Sequence, residues 1–179
     1  MALGVILTRW PAVHLLPADQ FYLVLTSHGI NMLIFWIIFF EMAVLYFASS
    51  TLLHCRLPTP KIAWLGFWLM VIGAIMTNVA IFQGESSVMF TSYVPMQAKP
   101  HFYLGLILFA VGALLICFIF LGTLVVAKAE KTYEGSIPLV TFGALTAAII
   151  AIFTIASGAV LRLDVAAGLA PSPRGELEI

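Results

Sequence analysis

His28 lies in the run Leu25-Thr26-Ser27-His28-Gly29-Ile30-Asn31, at the start of a long apolar stretch. An imidazole can hold haem iron or another transition metal, and it can carry a proton near neutral pH. At membrane depth it costs free energy unless it is paired, ligated or solvated, which makes it a functional-site candidate by default. Asn31 follows three residues later and shares its helical face. Glu41 is the next ionisable residue of this stretch, thirteen positions beyond His28. On a straight α-helix it points to nearly the opposite face, about 20 Å along the axis, so the two are not ligands of one metal. Two roles are open to Glu41: a proton-relay carboxyl, or a neutral acid hydrogen-bonded to a neighbouring helix. Asn78 is a further amide inside an apolar stretch. Among the other histidines, His14 and His54 fall outside the apolar stretches, and His101 follows Pro100 at the start of the third. A single histidine in such a place is more often an interfacial hydrogen-bonding residue than an iron ligand.

The elements that position these residues are set by the solvent. Apolar residues make up 63% of the chain and charged residues 9%, far from the balance of a soluble domain. Four apolar stretches, Phe21–Leu53, Ala63–Phe82, Phe102–Ala127 and Ile137–Leu161, are each long enough to cross a hydrocarbon core of roughly 30 Å. The expected fold is an all-α membrane protein, a bundle of four transmembrane helices in one domain over residues 1–169, with a short interfacial lead-in and a polar tail at 170–179. The lead-in contains Trp10, Pro11, His14 and Pro17, and the tail ends in Arg174-Gly175-Glu176-Leu177-Glu178-Ile179. No secretory signal pattern opens the chain.

Arg56-Leu57-Pro58-Thr59-Pro60-Lys61 and Lys128–Ser136 read as tight turns on one side, and Gly84–Pro100 as a longer connection on the other. The cations divide evenly: Arg56, Lys61, Lys128 and Lys131 against Arg9, Lys99, Arg162 and Arg174. They are denser in the short turns, which places those turns in the cytoplasm and both termini on the periplasmic side. Gly105, Gly112 and Gly122, with Gly143, Ala147, Ala148, Ala151 and Gly158, are spaced for close helix packing. Tyr93, Phe102 and Tyr103 read as an interfacial aromatic belt. Cys55 and Cys117 form neither a CxxC pair nor a zinc spacing, and packing accounts for both. A net charge of zero offers no basic face for nucleic acid. No phosphate loop, serine nucleophile or carboxylate pair is present, and no metal site is expected from the spacing.

Three landmarks together resemble one family. Leu25-Thr26-Ser27-His28-Gly29, followed by a Phe-rich apolar helix, is similar to the second helix of the catalytic subunit of haem–copper terminal oxidases, such as cytochrome c oxidase. Phe90-Thr91-Ser92-Tyr93-Val94-Pro95-Met96 through Lys99-Pro100-His101-Phe102-Tyr103-Leu104-Gly105 resembles the approach to its fourth helix. Ile137-Pro138-Leu139-Val140-Thr141 resembles the opening of its fifth. The nearest flavour is the B-type (ba3-like) branch, and the likeness extends from about Leu7 to Leu169. It implies that His28 stands where the family has an axial ligand of the low-spin haem. The family's subunit has about twelve helices, and this chain matches the second to fifth. The other haem and copper histidines have no counterpart here, so the chain holds no complete active site.

The resemblance implies first a small accessory subunit of an aerobic respiratory oxidase in the prokaryotic inner membrane, stabilising the catalytic or copper-bearing subunit through Gly/Ala faces. In that role His28 is a relic or a structural hydrogen-bonding group. The alternative is a split, haem-bearing piece of the catalytic subunit, with His28 as one low-spin haem ligand and the second imidazole from elsewhere. A non-redox assembly factor or transporter is a further alternative, although no inverted repeat or broken helix supports a transport site.

Overall fold

The computed structural model describes residues 16–88 and 98–166, with 159–166 given by backbone alone. Four helices long and apolar enough to cross a membrane account for the expected bundle: α1 (Ala18–Ser50), α2 (Pro60–Phe82), α3 (Pro100–Glu130) and α4 (Leu139–Ala166). Their ends follow local chemistry. Pro60 and Pro100 occupy first-turn positions, where a missing N–H costs nothing and the fixed φ suits a helix. Gly84, with φ of 75°, turns the chain just beyond α2. Lys131 closes α3 in the left-handed region at φ 53°, a position that favours glycine.

α2 and α3 share the most extensive interface, followed by α3 and α4. Glycine makes the first of these possible. A Cβ on Gly73 would stand 2.5 Å from the Gly105 carbonyl oxygen and 2.5 Å from the Phe109 nitrogen, and one on Gly112 would stand 2.5 Å from the Gly66 carbonyl oxygen. The two backbones therefore touch at two levels, as small-residue membrane interfaces allow. Gly105 and Gly112 thus serve the close helix packing expected of them, between two helices of the chain itself. Gly122, Gly143 and Gly158 do face open space.

The apolar core gathers Phe35, Leu45, Met70, Phe109, Ile116 and Phe120. Phe109 takes the ring of Phe35 at 4.6 Å and that of Phe39 edge-on at 5.4 Å. Outside the core, large apolar side chains face outward, among them Trp36, Phe40, Phe82 and Phe153. In water such a surface would aggregate, whereas in lipid it is the ordinary exterior. At the end of the bundle bearing the short turns, Thr132 donates a hydrogen bond from Oγ1 to the Leu53 carbonyl at 2.6 Å, and Thr141 Oγ1 donates to that of Ala48 at 3.2 Å.

Two details depart from the sequence reading. α4 continues through Ala166, beyond the expected end of its apolar stretch at Leu161, so Arg162 belongs to the helix. More consequentially, α1 is not one uniform helix: Ile30–Trp36 is π-helical, between α-helical segments Ala18–Gly29 and Ile37–Ser50. The wider π turn delays rotation, so a count of 100° per residue from His28 to Glu41 does not hold across it. The expectation that they occupy nearly opposite faces loses its geometric basis. The lead-in around Trp10 and His14, the Tyr93 motif and the tail at 170–179 lie outside the described residues.

Candidate functional site

His28 lies ten residues into α1, about 15 Å from its first residue. Its ring is half-buried, and the flanking Thr26 and Ser27 are buried. Thr26 satisfies its hydroxyl locally by donating to the Tyr22 carbonyl at 2.7 Å. Within the His28 ring, Nδ1 is closed off from solvent and has no hydrogen-bond partner among the described residues. A buried nitrogen left in this way costs about 1–3 kcal/mol unless a group from outside meets that nitrogen itself.

The polar surroundings of His28 come from two helices. Asn31 Nδ2 donates to Asn78 Oδ1 at 2.7 Å, and Asn78 Nδ2 returns a bond to Asn31 Oδ1 at 3.1 Å. Each amide also donates to the carbonyl one turn earlier on its own helix: Asn31 to Ser27 at 2.8 Å, Asn78 to Ala74 at 2.9 Å. Sequence reasoning marked both asparagines as polar residues in the spans but did not join them. Positions do carry a signal: Asn31 lies in the first half of a helix that enters from one side, and Asn78 near the end of the next, which returns there.

Glu41 is not part of this cluster. It lies on the α-helical segment beyond the π turn, half-buried, within electrostatic range of the buried Cys117 on α3. No hydrogen bond joins its carboxyl to another described residue. Nearby Tyr46 has a buried hydroxyl that is also without a described partner.

His54 is exposed in the turn between α1 and α2, at the end of the bundle away from His28, with φ of 48°. His101 stands in the first turn of α3, where its Nε2 lies 2.9 Å from Glu85 Oε2. Glu85 also pairs with Lys99, and the backbone bridge between Ser86 and Ala98 closes the base of the connection. The Lys99 hydrogen bond holds the Glu85 carboxyl below its ordinary value, assisted by the charges of Lys99 and His101. Sequence reading foresaw none of this clamp, which joins residues fourteen and sixteen positions apart across a loop. His54 is thus at the other end of the bundle and His101 lies against Glu85, and neither meets His28. No group of three or more His, Cys, Asp or Glu side chains suited to a metal ion occurs among the described residues.

One imidazole with an unengaged buried nitrogen fits half of a bis-histidine haem site. It does not by itself make a whole one. Comparison with known proteins supplies the context. The family model for cytochrome c and quinol oxidase polypeptide I matches residues 1–170. Cytochrome c oxidase subunit 1 of Thermus thermophilus is 30% identical over 132 residues, which is 73% of this chain. The aligned part is 23% of that relative, so the chain spans about a quarter of its length. Four apolar helices and a family match across nearly the whole sequence agree, and the chain belongs to the cytochrome c and quinol oxidase polypeptide I family.

Proposed function

We propose that this chain is the second-to-fifth-helix module of a haem–copper terminal oxidase catalytic subunit, with His28 offering one axial imidazole to a low-spin haem. The observation that carries this reading is the buried, unpartnered Nδ1 of His28 in the motif where the family resemblance places a haem ligand. The internal use of Gly66, Gly73, Gly105 and Gly112 supports it further, because the closest-packing surfaces are spent on holding the module together. The remaining ligands come from helices beyond this sequence. A haem held there by His28 would supply one-electron ferric–ferrous chemistry. The chain's own residues fix the ring on α1, keep its Nδ1 edge away from water, and turn apolar surface toward lipid and neighbouring helices.

In this reading the module works in a prokaryotic inner membrane. Its short turns face the cytoplasm and the His28 end faces the periplasm, as the denser Lys and Arg of the turns favour. Its partners are the other helices and subunits of the oxidase. The accessory-subunit role is the second reading, favoured by the absence of another histidine near His28 among the described residues. The test is His28→Ala in the assembled complex, followed by its reduced-minus-oxidised spectrum. Loss of the low-spin haem band is expected. An unchanged band in a fully assembled complex overturns the proposal and favours the accessory role.

A further inference from the structure

The π segment begins two residues after His28. A π turn is a rare alternative to the α-helix, frequent at functional sites, and here it runs for seven residues inside an apolar span. The Asn31–Asn78 ring of bonds is placed to hold its start. Asn31 is the second residue of the π segment, and each amide group uses its nitrogen twice, once across the interface and once on its own helix. Asn78 is itself rigidly carried. Its neighbour Thr77 is fully buried and donates to the Gly73 carbonyl at 2.9 Å, beside the contact where Gly73 and Gly105 bring α2 and α3 backbone to backbone. At the other end of the relay, Asn31 grips the carbonyl of Ser27, whose peptide bond leads directly into His28. His28 and Asn31, three apart, lie on one face.

We infer that the Asn31–Asn78 pair is the positioning device for His28: it pins the start of the π segment to the α2–α3 unit and thereby fixes the direction of the imidazole. This rests on the proposed haem-ligand role for its spectroscopic consequence, but the backbone consequence does not. Neither asparagine touches the reacting group in this scheme; both act through the Ser27–His28 backbone.

The experiment compares wild type, Asn78→Ala, Asn78→Gln, His28→Ala and Thr132→Ala in the whole assembled complex. The Thr132 change removes an inter-turn hydrogen bond at the far end of the bundle and controls for general loosening. Two readouts are taken: amide hydrogen exchange over residues 29–37, and the optical and EPR signature of the low-spin haem. In Asn78→Ala, exchange over 29–37 rises on the order of tenfold, the upper range for loss of an interhelical side-chain hydrogen bond in a membrane. The haem is retained with a displaced, broadened signature. Asn78→Gln restores part of both, and Thr132→Ala changes neither. Unaltered exchange and an unaltered signature in Asn78→Ala overturn the inference. So does equal disturbance by Thr132→Ala. If His28→Ala leaves the haem band intact, the haem-ligand reading fails, while the exchange comparison still decides whether the pair holds the π segment. If Asn78→Ala does not assemble, exchange of the wild-type complex decides: the inference requires residues 29–37 to exchange more slowly than the final turn of α1, and the reverse order refutes it.

Discussion

Gly73→Ala is the sharpest test of the packing that carries the site. The added Cβ would stand 2.5 Å from two backbone atoms of α3, the Gly105 oxygen and the Phe109 nitrogen, where ordinary contact begins at 3.4 Å. Roughly 0.9 Å must be found, and neither obstacle is the end of a flexible side chain. Forcing a methyl into a packed interface costs about 1–3 kcal/mol. Replacing glycine within a helix returns up to about 1 kcal/mol through backbone entropy. The expected balance is a loss of about 1–2 kcal/mol, with a weakened α2–α3 association and loosening of the Asn31–Asn78 bonds above it. Gly143→Ala is the internal control, because its Cβ meets nothing within 4 Å and the entropy gain stands unopposed. Unfolding in mixed micelles with increasing denaturing detergent measures both. Equal or greater stability of Gly73→Ala than wild type would refute the backbone contact, as would a matching loss in Gly143→Ala.

Thr132→Ala removes the hydroxyl that joins the two short turns and leaves the Leu53 carbonyl without it; a loss of about 1 kcal/mol is expected in the same unfolding assay. The Glu85 clamp gives a pH dependence whose sign follows from its depressed titration. Because the folded value lies below the ordinary 4.5, the clamp contributes fully above that pH and is lost as pH falls through the lower folded value. Protection of the Lys99 amide, which donates to the Glu85 carbonyl at 3.3 Å, therefore falls relative to intrinsic exchange as pH drops below about 4.5, and Glu85→Gln flattens the fall. A Glu85→Gln profile identical to wild type would count against the clamp.

The bundle was legible in the sequence because lipid imposes a simple rule. Every backbone polar group must be satisfied within the span, so twenty apolar residues already imply a helix. Pro60 and Pro100 read in the sequence as parts of turns, whereas each opens its helix, because a missing N–H costs nothing in a first turn. What stayed hidden depends on helix phase. In a soluble helix the alternation of polar and apolar faces reports rotation, but α1 from Ile30 to Phe40 is apolar all round apart from Asn31, so a one-residue drift leaves no pattern. The π segment was invisible for that reason, and the assumed angle between His28 and Glu41 lost its basis with it. The glycines announced close packing without naming a partner, since small residues suit any neighbouring backbone equally. His28 stood out through its cost in lipid; its unengaged Nδ1 needed three-dimensional neighbours to appear.

The π segment also changes how α1 can be compared and edited. A turn bonded five residues apart is what a spanning helix forms when it absorbs one extra residue without shifting both of its ends. Aligning α1 with an uninterrupted helix therefore calls for a single-residue gap in mid-membrane, where alignment practice least expects one. The same reasoning makes α1 unusually tolerant of a deletion. Removing one lipid-facing residue, such as Leu33, lets the segment relax to α geometry while Thr26–Asn31 and Leu45–Ser49 keep their own contacts. The membrane helix thus contains a built-in slack of one residue, located between its imidazole and its carboxylate.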